Sequence, residues 1–166
     1  MAIVMSWSKT KIEIGKTGSA DAMATTLTSI GTIKDKSTTM STAEGETLTA
    51  TATGGIVVAE EKGESVVTIT CRVIEPTWEL EEKLIGATEA TSELLVKTNV
   101  VKDHWSVKIT PKNTGAIGLK IRKTSVTYLP GQSEDEGHYA DITFKVLACE
   151  DGELYKKFRV ADSDAV

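Results

Sequence analysis

The sequence predicts a mainly β fold, a β-sandwich or partly open barrel with one flanking α-helix and an extended hairpin arm. Threonine is the commonest residue, accompanied by many valines and isoleucines, and β-branched side chains fit a pleated sheet better than a helix because they are stiff at χ1. Roughly nine or ten short runs alternate apolar and polar residues at the period of a half-buried strand. Only one run follows helical spacing. With 166 residues, 40% of them apolar, 26% charged and 5% aromatic, the chain fits one domain over 1–166 with a modest core and loose ends at about 1–8 and 161–166.

Residues 11–15 open the strand pattern, with Ile12 and Ile14 on one face. The stretch 16–26, rich in Gly, Ser, Ala and Thr, reads as a long surface loop, and a short strand over 27–34 follows it. Further on, Leu48, Ala50 and Ala52 share one face, while Thr47, Thr49, Thr51 and Thr53 share the other. Such a strand buries little apolar area, so it is expected to lean on a neighbouring chain or sheet. Gly45 after Glu44, and the pair Gly54 and Gly55, supply turn positions. The span 40–58 therefore reads as an extended hairpin arm, with Met40, Glu44, Gly45, Glu46, Thr49, Thr51, Thr53, Gly54 and Gly55 as candidate assembly residues. A polar turn is expected next at Glu60, Glu61, Lys62 and Gly63, with Gly63 where φ above zero is needed.

The best strand pattern covers 66–74, with Val67, Ile69, Cys71 and Val73 facing one way. Pro76 and Thr77 then open the one convincing helix, TWELEEKLIG, whose period brings Trp78, Leu84 and Ile85 near one face and sets Gly86 at the position after its end. Acidic residues come early in it and Lys83 late, as the helix dipole favours. Strands are expected at 94–101, 105–110, 116–122, 125–129, 138–148 and 154–160, separated by PKNTG, PGQSEDEG and EDG. The 138–148 strand turns Ala140, Ile142, Phe144, Val146 and Ala148 inward.

Acidic residues number 24 against 19 Lys plus Arg, a formal charge of −5, which removes the electrostatic drive for wrapping duplex nucleic acid. No apolar run approaches the roughly 18–20 residues that span a bilayer. The first five residues lack a basic flank and a cleavage site, so no secretion signal is expected. Cys71 and Cys149 lie within strand-like alternation and read as buried small hydrophobes rather than a disulfide, and neither has metal-ligand spacing. His104, in KDHWS, and His138 belong to no nucleophile motif, and no dinucleotide, triphosphate, zinc-protease or hydrolase pattern occurs. The acidic run Glu134, Asp135, Glu136 reads as a solvated loop tip. The expectation is a non-enzymatic protein without cofactor or metal.

The order KIEIGKTGSADAMATTLTSIGTI, AEGETLTATATGG, EEKGESVVTITCRVI and a helix ending in LIGA resembles the major tail tube proteins of bacteriophages and related prophage tails. The resemblance covers roughly residues 11–87 and, more loosely, the strands beyond. It implies a tail-tube-like β domain that forms a homo-oligomer of stacked hexameric rings, a conduit through which DNA passes as cargo. It also implies initiator, terminator and tape measure proteins as partners, assembly in the bacterial host cytoplasm and a place in the virion tail, with 40–58 as the contact between subunits. The tube of a contractile injection or secretion apparatus shares this logic. An immunoglobulin-like adhesion domain is the alternative of a different class.

Overall fold

Alternation at period two runs through the computed structural model, which describes residues 4–7 and 9–161. In chain order the elements are β1 (Lys11–Lys16), β2 (Thr28–Ser29), β3 (Thr32–Ile33), β4 (Thr39–Ala43), β5 (Thr47–Ala52), β6 (Ile56–Lys62) and β7 (Val66–Ile74). They continue with α1 (Trp78–Ile85), β8 (Thr88–Ala90), β9 (Glu93–Leu95), β10 (His104–Thr110), β11 (Ile117–Ser133), β12 (Gly137–Val146) and β13 (Lys156–Arg159). Nine strands form one sheet in the order β2-β1-β10-β11-β12-β7-β3, with β13 also on β11 and β4 also on β7. The protein is mainly β, and this sheet curls into a half-barrel.

The curl follows from where the apolar residues point. Val67, Ile69, Cys71 and Val73 of β7 are buried, as are Ala140, Ile142, Phe144 and Val146 of β12. Ile12 and Ile14 of β1 and Val107 and Ile109 of β10 complete the concave lining. Wrapping one sheet around its own apolar face removes that surface from water at about 25 cal/mol per Å². The expected strand at 27–34 is instead two strands of two residues, β2 on β1 and β3 on β7. Between them Ile30 is buried and donates its N–H to the Ile12 carbonyl at 3.1 Å, so this segment bridges the open side of the half-barrel.

The helix forms where expected. Thr77 caps it by accepting the Leu80 N–H at 3.3 Å, and Gly86, at φ 68°, ends it in the left-handed region. Its buried face is Leu80, Leu84 and Ile85 rather than one including Trp78, which stays exposed. A helical side chain covers the turn N-terminal to its own Cα, so the first residue of the helix overhangs its start. The Tyr128 hydroxyl donates to Glu81 Oε1 at 2.7 Å and ties the helix to the barrel. Burial, then that hydrogen bond, pushes the phenol well above its usual range.

Other expectations are corrected. The runs 116–122 and 125–129 are one strand, β11, of 17 residues, and Pro130 to Ser133 continue it instead of breaking it. Beyond Ser125, β11 pairs only with β12 among the described residues, so a missing N–H on its other edge breaks no ladder bond. The expected strand at 94–101 shrinks to β9, which among the described residues pairs with β8 alone, and the rest of that span has no ladder partner among them. At the N-terminal end, Trp7 packs against the core and Ser6 Oγ accepts the Ile117 N–H at 3.1 Å, so 4–7 is tied to the domain. Of the two expected loose ends, residues 1–3, 8 and 162–166 lie outside the described residues.

Cys71 and Cys149 are both buried free thiols. Burial, followed by the Asp141 charge, pushes Cys71 from its ordinary 9.0 to about 12. Thiol reagents will therefore label neither cysteine in the native protein and both on unfolding. Because the folded thiol holds its proton where the unfolded one ionises, Cys71 contributes stability below pH 9.0 that is lost as pH rises towards about 12. A Cys71→Ala comparison of alkaline unfolding checks the sign. Tyr128→Phe should lower stability by about 1–2 kcal/mol in urea unfolding, through loss of the bond to Glu81.

Candidate assembly interface

The expected arm exists with shifted bounds. β4 pairs with β7 from Thr39↔Thr70 to Ala43↔Val66, and the ribbon continues outward as β5 paired with β6. Its tip is 53–55, where Gly55 N–H donates to the Ala52 carbonyl at 3.1 Å and Gly54 and Gly55 adopt φ of 93° and 79°. The glycine pair is thus the turn of the hairpin, and Thr53 sits with it. Met40 lies in β4 and packs on the core, inside the domain rather than on the projecting ribbon. Thr49 and Thr51 lie in β5.

Glu60, Glu61 and Lys62 are not a turn: they belong to β6, opposite Thr49, Leu48 and Thr47. Gly63 does not take a positive φ. It is small for another reason, because it crosses close to the other strand. Gly63 N–H donates to the Glu46 carbonyl at 2.8 Å, and a Cβ on Gly45 would stand 2.3 Å from the Gly63 carbonyl carbon. Alternating charged residues beside threonines suit an exposed ladder as well as a turn, which is why the local pattern misled.

Every residue of β5 and β6 is exposed. Cross-strand partners share a face, so Leu48, Ala50 and Ala52 lie beside Glu61, Ala59 and Ile56. The opposite face joins Thr47, Thr49 and Thr51 to Lys62, Glu60 and Val57, and Val58 is the extra residue where the register shifts. Leu48 is 66% exposed, Ile56 65%, Val58 64% and Val57 55%. An isolated two-stranded ribbon is marginal in water. Each of these side chains contributes roughly 1.5–3 kcal/mol only once it is covered. The span 40–58 covers Ile56, Val57 and Val58, but the sequence reading left them out of its candidate assembly residues, although three β-branched residues directly after a glycine turn are a strand signal.

At the base of the arm sits an acidic collar of Glu44, Glu46, Glu60, Glu61 and Glu64, all exposed, with Lys62 as the one cation among them. Two arginine networks brace the domain that carries it. Arg72 Nε donates to Asp141 Oδ1 at 2.7 Å and Nη1 to Glu136 Oε2 at 2.5 Å, and its guanidinium lies 4.2 Å from the Tyr139 ring centroid. Glu136 also pairs with Lys34, and that bond more than Arg72 holds its carboxyl below the usual range. Glu136 is therefore engaged rather than a solvated loop tip. Arg122 Nη1 donates to Asp151 at 2.7 Å and Glu153 at 2.5 Å, and Nε to the Asp21 carbonyl at 2.8 Å, fastening the loops on either side of β11.

His104 is exposed at the start of β10, and Ser106 is buried, donating to the Arg122 carbonyl at 2.8 Å. Among the described residues no group of three His, Cys, Asp or Glu is placed to hold a metal ion. No described helix is long and apolar enough to cross a membrane. No protein-family model matches the chain, and comparison with curated proteins finds no significant match.

If the ribbon is covered on assembly, amides of β5 and β6 will exchange rapidly in the dilute monomer and slow by at least about tenfold in assembled protein. Those of β7 and β12 will be slow in both. Hydrogen exchange by mass spectrometry across a concentration series reads this directly, and unchanged exchange in β5 and β6 would show the ribbon is not the contact.

Proposed function

We propose that this chain is a structural, non-enzymatic subunit that self-assembles through the β5–β6 arm, as a phage or prophage tail tube subunit forming stacked hexameric rings around a conduit for DNA. The observation that carries the reading is the arm itself. Leu48, Ile56, Val57 and Val58 stand in water on a ribbon that the domain core does not support. Surfaces of this kind mark sites of protein association. A second copy of the chain is the partner always present at equal concentration. The sequence resemblance adds the tube geometry and the ring number, which spacing does not specify, and the net charge of −5 suits a channel that must not hold the DNA it conducts.

Light-scattering mass with negative-stain imaging over a concentration series tests the proposal. Full-length protein is expected to form rings or tubes. A variant lacking residues 47–62, joined from Glu46 to Gly63, is expected to stay a folded monomer by circular dichroism. Assembly of the shortened variant would overturn the role of the arm. A full-length protein that is monomeric at every concentration and ionic strength would overturn self-assembly itself.

A further inference from the structure

On the convex side of the sheet, cross-strand pairing sets Lys108 of β10 opposite Lys120 of β11, and Lys120 opposite Lys156 of β13. Like charges directly opposite one another in a ladder are destabilising, so three lysines in one row are out of place on a chain of net charge −5. Lys108 Nζ and Lys120 Nζ lie 5.6 and 5.1 Å from the Phe158 ring centroid. Lys156 pairs with Glu153 at 3.4 Å, whereas neither Lys108 nor Lys120 has an ion-pair partner among the described residues. Glu13, next in the row, is paired with Lys11 at 3.3 Å. The result is a basic strip around an aromatic ring.

The complementary surface is the acidic collar. Glu60, Glu61 and Glu64 face solvent at the arm's base, where Glu60 lies 4.0 Å from Lys62 in an exposed pair, and none of them forms an ion pair with β10, β11 or β13 of its own chain among the described residues. Strand spacing makes the three paired lysines span about 10 Å, a strip opposite in charge to the arm's base, where Glu60 and Glu61 stand on the two faces of the ribbon. We propose that the lysine row Lys108–Lys120–Lys156 is the receptor for the acidic collar of a second copy of this chain, a head-to-tail contact that positions the arm. It rests on the self-assembly reading and names where the arm's base lands.

The test is charge reversal and its complementation. Lys108→Glu with Lys120→Glu, and separately Glu60→Lys with Glu61→Lys, should each raise the concentration needed for assembly at low salt by at least about tenfold. Mixed in equal amounts, the two variants should assemble again, because each basic surface then meets an acidic one. The milder pair Lys108→Gln and Lys120→Gln keeps the question open to measurement if a reversal unfolds the sheet by circular dichroism, and should weaken assembly in the same direction. Wild-type assembly with reversed variants that assemble equally well would overturn the lysine row and leave self-assembly standing. Variants that stay apart on mixing would also overturn it, and failure of the wild type to assemble would sink both readings together.

Discussion

The register between β10 and β11 is the constraint on which the rest of the sheet depends. It shifts between Trp105 and Val107, and a bulge of this kind leaves backbone groups without ladder partners while bending the strand. Two buried hydroxyls absorb the misfit. Thr124 Oγ1 donates to the Trp105 carbonyl at 2.7 Å, and Ser106 Oγ donates to the Arg122 carbonyl at 2.8 Å while accepting the Ala24 N–H at 3.0 Å. The Trp105 and Arg122 carbonyls at the bend are thereby hydrogen-bonded. β11 carries this geometry outward, because its other edge pairs first with β13 and then with β12. A slip by one residue would turn Leu119, Ile121, Val126 and Tyr128 out of the core together.

Stability is consequently concentrated at one end of the long ribbon. β7 is buried at every second residue from Val67 to Val73, yet the strands that continue the ribbon beyond Gly45 and Gly63 bury nothing. The close crossing of those two glycines marks the change from a ladder backed by a core to one backed by water. Such a division leaves the apolar area of the arm outside the folded core. Burial in the first region and exposure in the second arise from the same alternating code. Only the presence of a second layer differs.

That difference explains which features were legible in the sequence. β7, β12 and α1 were readable because their apolar period is matched by an apolar surface facing them. The glycine tip of the arm was readable because Gly54 and Gly55 occupy backbone conformations that other residues resist. The continuity of β11 through Pro130 was not, since whether a missing N–H matters depends on a neighbouring strand that local pattern does not reveal. Likewise Glu60 to Lys62 look like a turn until Thr47 to Thr49 are set beside them. Of the candidate site, the arm over 40–58 was visible as weakly cored sequence, while the exclusion of Met40 and the continuation of β6 through Glu60 to Lys62 required the pairing register.

Charge is partitioned by the same architecture. On the convex side of β11, Arg122 meets Asp151 and Glu153, and Lys123 meets Asp21 at 3.1 Å, because the loops that cross the sheet there bring carboxylates with them. Those carboxyls are held below their ordinary range, Asp151 and Glu153 chiefly by Arg122 and Asp21 chiefly by Lys123. Two residues back from Arg122 along β11 lies Lys120, which no such loop neutralises among the described residues. The acidic surplus of the chain is meanwhile carried partly on the arm, at Glu44, Glu46, Glu60, Glu61 and Glu64. The lysine row and the acidic collar therefore lie on different parts of the chain, with no ion pair between them among the described residues.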